Sequence, residues 1–186
     1  MDPRAARTRA SLQRAILDLA AERPIGEIPA TEIVARAGVN RSSLYQHFED
    51  REELLASALE SIEVAHTRID HPVTLSGGAE PPPELQRFVA HFAEYAAVYR
   101  TALGPHGSAR VATRVRARIT AVVHEGIMLS APGSGGALPI EVEAAGTAGA
   151  LLGIIEEWIR RDPMPSTDTA TAWLWGYLRA ARSPSH

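Results

Sequence analysis

A single glycine, Gly38, divides residues 31–55 into two short helical patterns and so limits what this segment can fold into. Before the glycine, Ile33, Val34 and Ala37 fall on one side of a 3.6-residue repeat, as in an amphipathic helix. Glycine is also the residue that most readily adopts the positive φ with which many helices end. We therefore expect a short helix, a tight turn at Gly38 and a second short helix.

The second helix is expected to begin after Asn40, because asparagine is a preferred N-cap residue. Its buried positions are Leu44 and Phe48, so most side chains between them must face outward. Arginine can pair with guanine and glutamine with adenine, while serine, tyrosine and histidine can hold phosphate oxygens. The run therefore indicates a helix that docks in a DNA major groove. Asp50 and Glu53 have the spacing of a capping box for the helix that follows.

Residues 37–55 resemble the N-terminal domain of the tetracycline-repressor (TetR) family of bacterial regulators. The shared pattern is A-G-V, then L-Y-x-H-F, an arginine and L-L, and the resemblance extends back to Arg9. The resemblance implies a DNA-binding set that consists of Thr31, Asn40, Arg41, Ser42, Ser43, Tyr45, Gln46, His47 and Arg51.

Two roles within this set follow from the same resemblance. The base-reading positions are Arg41, Ser42, Ser43 and Gln46, and the phosphate-contacting positions are Tyr45, His47 and Arg51. The family usually has serine or threonine as the cap of the first helix of the motif, where this chain has Pro29. We expect Thr31 to take over that phosphate contact. Arg7 and Arg9, near the N-terminus, are expected to form a basic arm that reaches a phosphate or the minor groove.

Composition excludes several other classes of protein. The chain has no cysteine, which rules out disulfides, thiolate catalysis and cysteine-based zinc sites. Residues 1–47 hold seven arginines and five acidic residues, a net charge of +2. Because the whole chain has a net charge of −3, the remaining residues carry −5. The longest apolar stretch, residues 144–155, is well short of the roughly 20 residues that a membrane span requires. With no signal-peptide pattern, we expect a cytoplasmic protein with no membrane contact.

Helical periodicity recurs along the rest of the chain, and no strand pattern is present. The expected helices cover residues 50–66, 84–103 with a bend near Tyr95, 108–129, 140–161 and 167–181. Residues 70–83 and 132–139 are rich in proline and glycine and are expected to be connections. We predict an all-α fold of about nine helices. Residues 1–50 would form a three-helix, helix-turn-helix DNA-binding domain, and residues 51–186 a helical effector-binding and dimerisation domain.

Small residues follow one face of the penultimate helix. Glycine costs about 1 kcal/mol relative to alanine in a helix, and glycines at helical spacing allow two helices to approach closely. Together with nearby aromatic side chains they predict a symmetric dimer through the last two helices, as in TetR-like regulators. Tight packing within one subunit is the alternative. The predicted interface residues are Gly146, Gly149, Gly153, Trp158, Trp173 and Tyr177.

Aromatic, histidine and methionine residues of the middle helices combine apolar walls with polar groups, as in a small-molecule cavity. Core packing is the alternative interpretation for each of them. The predicted effector-pocket residues are Phe88, His91, Phe92, Tyr95, Tyr99, His124 and Met128. The effector itself is not identified by the sequence.

The sequence thus predicts a homodimeric repressor that binds a palindromic operator in double-stranded DNA and is released by a small-molecule effector. The alternative is a DNA-binding regulator or co-activator that is controlled by a partner protein. No phosphate-binding glycine loop, nucleophile elbow or metalloprotease motif is present, so we expect no enzymatic activity and no cofactor. The histidines do not share metal-ligand spacing on one helical face, so we expect no metal site.

Overall fold

The computed structural model describes residues 3–66, 80–130 and 138–182 of the chain. These residues form nine α-helices and one short 3-10 turn, and no β-strand, which confirms the predicted all-α fold. The elements are α1 (Pro3–Glu22), the 3-10 turn (Ile25–Glu27), α2 (Ala30–Ala37), α3 (Arg41–His47), α4 (Arg51–His66), α5 (Pro83–Glu94), α6 (Ala96–Ala102), α7 (Ala109–Ser130), α8 (Ile140–Arg160) and α9 (Thr167–Arg182). None of the helices in the described ranges is long and apolar enough to cross a membrane.

The chain divides into two compact units. Unit 1 comprises Met1–Ala65 and Tyr95–Val115, and unit 2 comprises His66–Glu94 and Arg116–His186. Unit 1 therefore contains α6 and the first residues of α7 in addition to the N-terminal helices. The boundary predicted at residue 50 is a division by function and stays a prediction.

The core of unit 1 is built on the apolar face of α1. Leu12, Ile16 and Leu19 are fully buried there, as their helical spacing predicts. Around them pack α2, α3 and α6. Leu44 of α3 and Phe48, which directly follows α3, are buried in the same unit. Each such side chain contributes about 1.5–3 kcal/mol when it leaves water, so these contacts fix the position of the short helix α3.

The predicted helix over residues 84–103 is interrupted at Tyr95, where the expected bend becomes a break between α5 and α6. Tyr95 has φ −106° and ψ 23°, outside the helical region. Beyond the break, the hydroxyl of Thr101 in α6 forms a hydrogen bond with the carbonyl oxygen of Ala20. Because Ala20 lies in the last turn of α1, this bond satisfies a carbonyl that has no partner within that helix. It helps to fix α6 within unit 1.

In unit 2, α5 packs against α8 and α9, and α8 packs against α9. The buried face of α8 carries Ala148, Leu152 and Ile155, among others, at helical spacing. At the end of α8, the indole N–H of Trp158 donates to the carbonyl oxygen of Pro165 at 2.8 Å, which satisfies the polar atom of a fully buried side chain. The bond joins the end of α8 to the segment that leads into α9.

The ends of the other helices agree with the sequence-based expectations to within a residue or two. The helices predicted over residues 108–129, 140–161 and 167–181 correspond to α7, α8 and α9. The predicted connections at residues 70–83 and 132–139 lie largely outside the described residues.

Candidate nucleic-acid interface

The turn between α2 and α3 is built around Gly38. Its φ of 67° lies in the left-handed region, where glycine is strongly favoured. The N–H of Gly38 donates to the carbonyl of Ala35 at 3.2 Å, and the N–H of Val39 donates to the carbonyl of Val34 at 3.0 Å. These bonds satisfy carbonyl groups that the end of α2 leaves without helical partners. The predicted turn at Gly38 is confirmed.

Asn40 begins α3 as its N-cap, also as predicted. Its side-chain oxygen accepts a hydrogen bond of 2.8 Å from the backbone N–H of Ser43. The hydroxyl groups of Ser42 and Ser43 donate to the same oxygen at 2.7 and 2.9 Å. Asn40 Oδ1 is therefore engaged in fixing the first turn of α3. The resemblance places Asn40 in the DNA-binding set, but this oxygen is already occupied by the helix.

The other predicted base-reading positions lie on the outward face of α3. Arg41, Ser42 and Gln46 are exposed and Ser43 is half-buried, whereas Leu44 between them is buried. Exposed arginine and glutamine side chains at this spacing can form the bidentate pairs that distinguish guanine from adenine in the major groove.

Arg41 and Tyr45 lie one helical turn apart and touch each other. The guanidinium carbon of Arg41 is 5.6 Å from the centre of the Tyr45 ring, within the range of a cation–π contact. Arg41 Nη2 lies 3.4 Å from the hydroxyl of Tyr45. The Tyr45 side chain is nevertheless 50% exposed, so its hydroxyl is also available to a phosphate oxygen.

The remaining predicted phosphate-contacting residues differ in accessibility. Thr31 is exposed in the first turn of α2, whose N-cap residue Pro29 makes no side-chain hydrogen bond to the helix. His47 is half-buried at the last residue of α3. Arg51 is also half-buried, and its Nη1 atom donates to the carbonyl oxygen of Ile28 at 2.9 Å. Arg51 thus fixes the segment before α2 as well as lying at a predicted phosphate contact.

The predicted basic arm is wrong for Arg9, because α1 already begins at Pro3. The guanidinium of Arg9 lies 4.5 Å from the centre of the Phe48 ring and donates to the hydroxyl of Ser57 at 2.6 Å. Arg9 therefore packs between α1 and the residues that follow α3. A cluster of arginines in a sequence does not reveal such a partner, since Ser57 is distant along the chain.

Two acidic residues, Glu49 and Asp50, separate α3 from α4. Asp50 Oδ1 accepts the backbone N–H of Glu53 at 2.8 Å, as in the predicted capping box, whereas the Glu53 carboxylate returns to the N–H of Glu49 rather than to that of Asp50. The hydrogen bond from Glu53 is the main reason why the pKa of Asp50 is lowered, and Arg110 adds to the effect. Sequence reasoning did not identify Arg110 as a partner of Asp50, because Arg110 lies far along the chain in α7.

The predicted effector-pocket residues are distributed over the two units. Tyr95 and Tyr99 belong to unit 1, and the members in unit 2 are Phe88, His91, Phe92, His124 and Met128. His91 and Phe92 are buried, with their rings edge to face and centroids 5.4 Å apart, and Tyr99 is buried in its own unit. Met128 is 52% exposed. Burial supports the core alternative for the three buried side chains, and an effector pocket stays a prediction.

The glycines of α8 lie open rather than packed within their own chain. A Cβ atom at Gly146 or Gly153 would meet nothing within 4 Å, and one at Gly149 would lie 3.5 Å from Arg116 Nη1. On α9, Trp173 and Tyr177 are 37% and 38% exposed. Trp158 differs, because it is fully buried in unit 2 and offers no surface to a second chain, so its prediction as an interface residue is not carried forward.

Comparison with known proteins agrees with this geometry. Residues 12–58 match the model of the bacterial regulatory proteins of the tetR family. A TetR transcriptional regulator from Streptococcus agalactiae 2603V has a similar structure, with a TM-score of 0.69 and 16% identity over 95% of this chain and 96% of that one. DhaS, the activator of the dihydroxyacetone kinase operon, gives a TM-score of 0.68 and 17% identity over 94% of this chain and 95% of its own.

FadR from Bacillus subtilis, solved in complex with stearoyl-CoA, gives a TM-score of 0.60 and 15% identity over 94% of this chain and 99% of its own. At such identities the likeness shows a shared fold. No curated protein matches the sequence. The family match includes α2, the turn at Gly38, the N-cap Asn40 and the exposed face of α3. Residues 12–58 therefore resemble the N-terminal segment of the bacterial regulatory proteins of the tetR family, and the chain shares its fold with solved TetR regulators.

Proposed function

We propose that this chain is a TetR-family transcriptional regulator that binds a palindromic operator as a homodimer and represses transcription until a small-molecule effector releases it from the DNA. The observation that carries the proposal is the outward face of α3, where Arg41, Ser42 and Gln46 are exposed on a helix fixed from below by buried Leu44. A rigid short helix with exposed donors is what major-groove recognition requires.

Within this proposal the DNA-binding residues divide into two roles. The base-reading residues are Arg41, Ser42, Ser43 and Gln46, and the phosphate-contacting residues are Thr31, Tyr45, His47 and Arg51. The cation–π contact between Arg41 and Tyr45 supports the division, because it limits the conformations of Arg41 before it meets a base. Asn40 takes part through its cap, which holds the N-terminal turn of α3 in place.

The open face of α8 supports the dimer. At Gly146 and Gly153 a Cβ atom would have no atom within 4 Å, so packing within the chain does not require glycine at these positions. Glycine in a helix costs about 1 kcal/mol relative to alanine, and close approach of a second helix would recover that cost. The exposed rings of Trp173 and Tyr177 on α9 supply apolar area of the kind found at protein interfaces. We propose that a second copy of this chain covers this face, because a palindromic operator is read by two copies related by a two-fold axis.

An open depression of about 390 Å³ also lies on this surface of unit 2. It is lined by Ala150, Gly153, Ile154, Glu157, Arg161 and Trp173. Arg161 lies 5.1 Å from the centre of the Trp173 ring, so the largest side chain at the depression is held in place from one side. We assign the depression to the proposed interface rather than to the effector, since small-molecule sites are more enclosed.

The proposed effector response is supported by a solved structure of similar fold. FadR from Bacillus subtilis, which has been solved with stearoyl-CoA, has a similar fold, and this supports control by a small molecule. The proposed effector-binding residues are Phe88, His91, Phe92, Tyr95, Tyr99, His124 and Met128. A ligand can change operator affinity only if it binds the two conformational states with different affinities.

Activation is the second candidate function. DhaS is an operon activator with a similar fold, so the fold is compatible with either sign of regulation. The same candidate includes control by a partner protein rather than a metabolite. Repression and activation are distinguished by a reporter gene placed behind an operator that the chain binds. If the chain represses transcription, expression should rise when the chain is deleted; if it activates transcription, expression should fall.

The dimer is tested by light scattering after size exclusion with Gly153→Leu, compared with Ala90→Leu at an exposed alanine of α5 as a matched control. Gly153→Leu should yield a monomer that keeps the helical circular dichroism spectrum of the wild type, because a Cβ atom at this position would meet nothing within 4 Å. Ala90→Leu should remain dimeric. A dimeric Gly153→Leu variant would contradict the proposed interface.

A further inference from the structure

The junction between α3 and α4 presents negative charge where the proposed function requires DNA to approach. Glu49 and Asp50 lie between the proposed phosphate-contacting residues His47 and Arg51, and their side chains are 74% and 45% exposed. Charges within the Debye length, about 8 Å at physiological ionic strength, act on one another with little screening. Two uncompensated carboxylates at this junction would therefore oppose binding of the phosphate backbone.

One arginine bridges both carboxylates. Arg110 Nη1 lies 2.6 Å from Asp50 Oδ2, and Arg110 Nη2 lies 3.1 Å from Glu49 Oε2. The planar guanidinium suits this arrangement, because its two terminal nitrogens can each donate to a different carboxylate while the head remains rigid. Both partners and Arg110 lie within unit 1.

The position of Arg110 in its own helix argues for a role outside that helix. Arg110 lies in the first turn of α7, where Ser108 accepts the N–H of Val111 at 3.2 Å. A positive charge at a helix N-terminus is disfavoured by the helix dipole. The helix dipole of α7 therefore does not favour an arginine at this position. The ion pairs with Glu49 and Asp50 offset its unfavourable effect.

We propose that Arg110 is a positioning residue for DNA binding, one that lowers the negative charge of the Glu49–Asp50 junction and holds this junction in place beside α3. This inference rests on the proposed function of α3. It adds to the DNA-binding apparatus a residue of α7 that makes no contact with bases. With Arg110 in place, the operator meets a junction that carries one net negative charge instead of two.

The same helix provides a matched control. Arg114 lies one turn after Arg110 and pairs with Glu60 at 3.8 Å, with both side chains about half exposed. Glu60 belongs to α4 and lies ten residues after Asp50. Arg114→Ala therefore removes the same charge from the same helix without exposing the two carboxylates next to α3.

The test measures operator affinity of the full-length chain by fluorescence anisotropy over a range of about 50 to 300 mM salt. Arg110→Ala should weaken binding about three- to tenfold at about 100 mM salt, and the deficit should narrow as salt increases. Arg110→Lys should retain part of the affinity, because it keeps the charge but not the fork. Arg114→Ala should stay within about twofold of the wild type, as expected for a single exposed ion pair.

Neutralising the carboxylates separates charge compensation from folding. Glu49→Gln with Asp50→Asn, added to Arg110→Ala, should restore binding to at least the wild-type level. Equal affinity of Arg110→Ala and wild type, or a loss that the neutral side chains do not rescue, overturns this inference while the proposed function stands. If the wild type selects no duplex, the proposed function fails and the inference fails with it.

Discussion

Arg51 Nη1 donates a hydrogen bond of 2.9 Å to the carbonyl oxygen of Ile28. The bond joins the first residue of α4 to the segment that precedes α2, and Ile28 is fully buried. Arg51 is therefore both a proposed phosphate contact and part of the framework that holds the helix-turn-helix together. A change at Arg51 should affect folding and DNA binding at the same time.

Arg51→Ala should lower the free energy of unfolding by about 1–2 kcal/mol, because the carbonyl of a buried residue loses its partner. Urea denaturation monitored by circular dichroism measures this change. Arg36→Ala is the control, since Arg36 is exposed on α2 and reaches Glu22 only at 4.0 Å. Equal stability of the two variants would show that the bond to Ile28 contributes nothing measurable.

Two substitutions of Asn40 should separate its contribution to stability from the effect of charge at this position on DNA binding. Asn40→Ala removes the acceptor for the N–H of Ser43 and should cost about 1 kcal/mol of stability. Asn40→Asp keeps the acceptor, so it should retain the stability of the wild type, but its negative charge at the start of α3 should weaken operator binding. Unfolding and operator titration of both variants test this. Undiminished binding by Asn40→Asp would place the start of α3 away from the DNA.

Gly38→Ala should destabilise the chain by about 1–2 kcal/mol, because a side chain disfavours the left-handed conformation of this residue. The cost is conformational rather than steric, since a Cβ atom here would meet nothing within 4 Å. Gly38→Asn should therefore be less harmful, because asparagine tolerates this region better. Thermal unfolding orders the three proteins, and an asparagine variant no more stable than the alanine variant would contradict the explanation.

Asp50 should make the chain more sensitive to acid. Its pKa in the folded chain is lowered from 3.8, chiefly by the hydrogen bond from the N–H of Glu53. A carboxyl group with a lowered folded pKa stabilises the fold fully above pH 3.8, and this contribution is lost as the pH falls through the folded value. Asp50→Asn should therefore lose less stability than the wild type between neutral and strongly acidic pH. Parallel stability profiles for the two proteins would contradict the assignment.

Local chemistry made the helix-turn-helix predictable from sequence. A left-handed turn needs glycine and an N-cap needs a short polar acceptor, so Gly38 and Asn40 reveal their roles within a few residues. Helical periodicity likewise predicted the buried face of α1, because Leu12 and Ile16 face the core wherever the rest of the chain lies. The sequence also indicated a bend near Tyr95, but it did not predict that α5 ends and α6 begins there.

Contacts between distant segments were not predictable in this way. Arg9 looked like part of a basic arm until its partners Phe48 and Ser57 were placed beside it. No local sequence pattern identified Arg110, because its role depends on its ion pairs with Glu49 and Asp50 at the junction between α3 and α4. Trp158 resembled an interface aromatic because composition does not show which face of α8 its ring occupies. Tertiary packing decides such cases, and no local spacing encodes it.

The most direct test of the account is selection of operators from a random duplex library by the purified full-length chain, followed by the same selection with Arg41→Ala. The wild type should enrich a palindrome with two half-sites, and Arg41→Ala should lose about 1–3 kcal/mol of base preference at one position per half-site. Enrichment of no common sequence by the wild type, or an unchanged preference in Arg41→Ala, would contradict base recognition by α3.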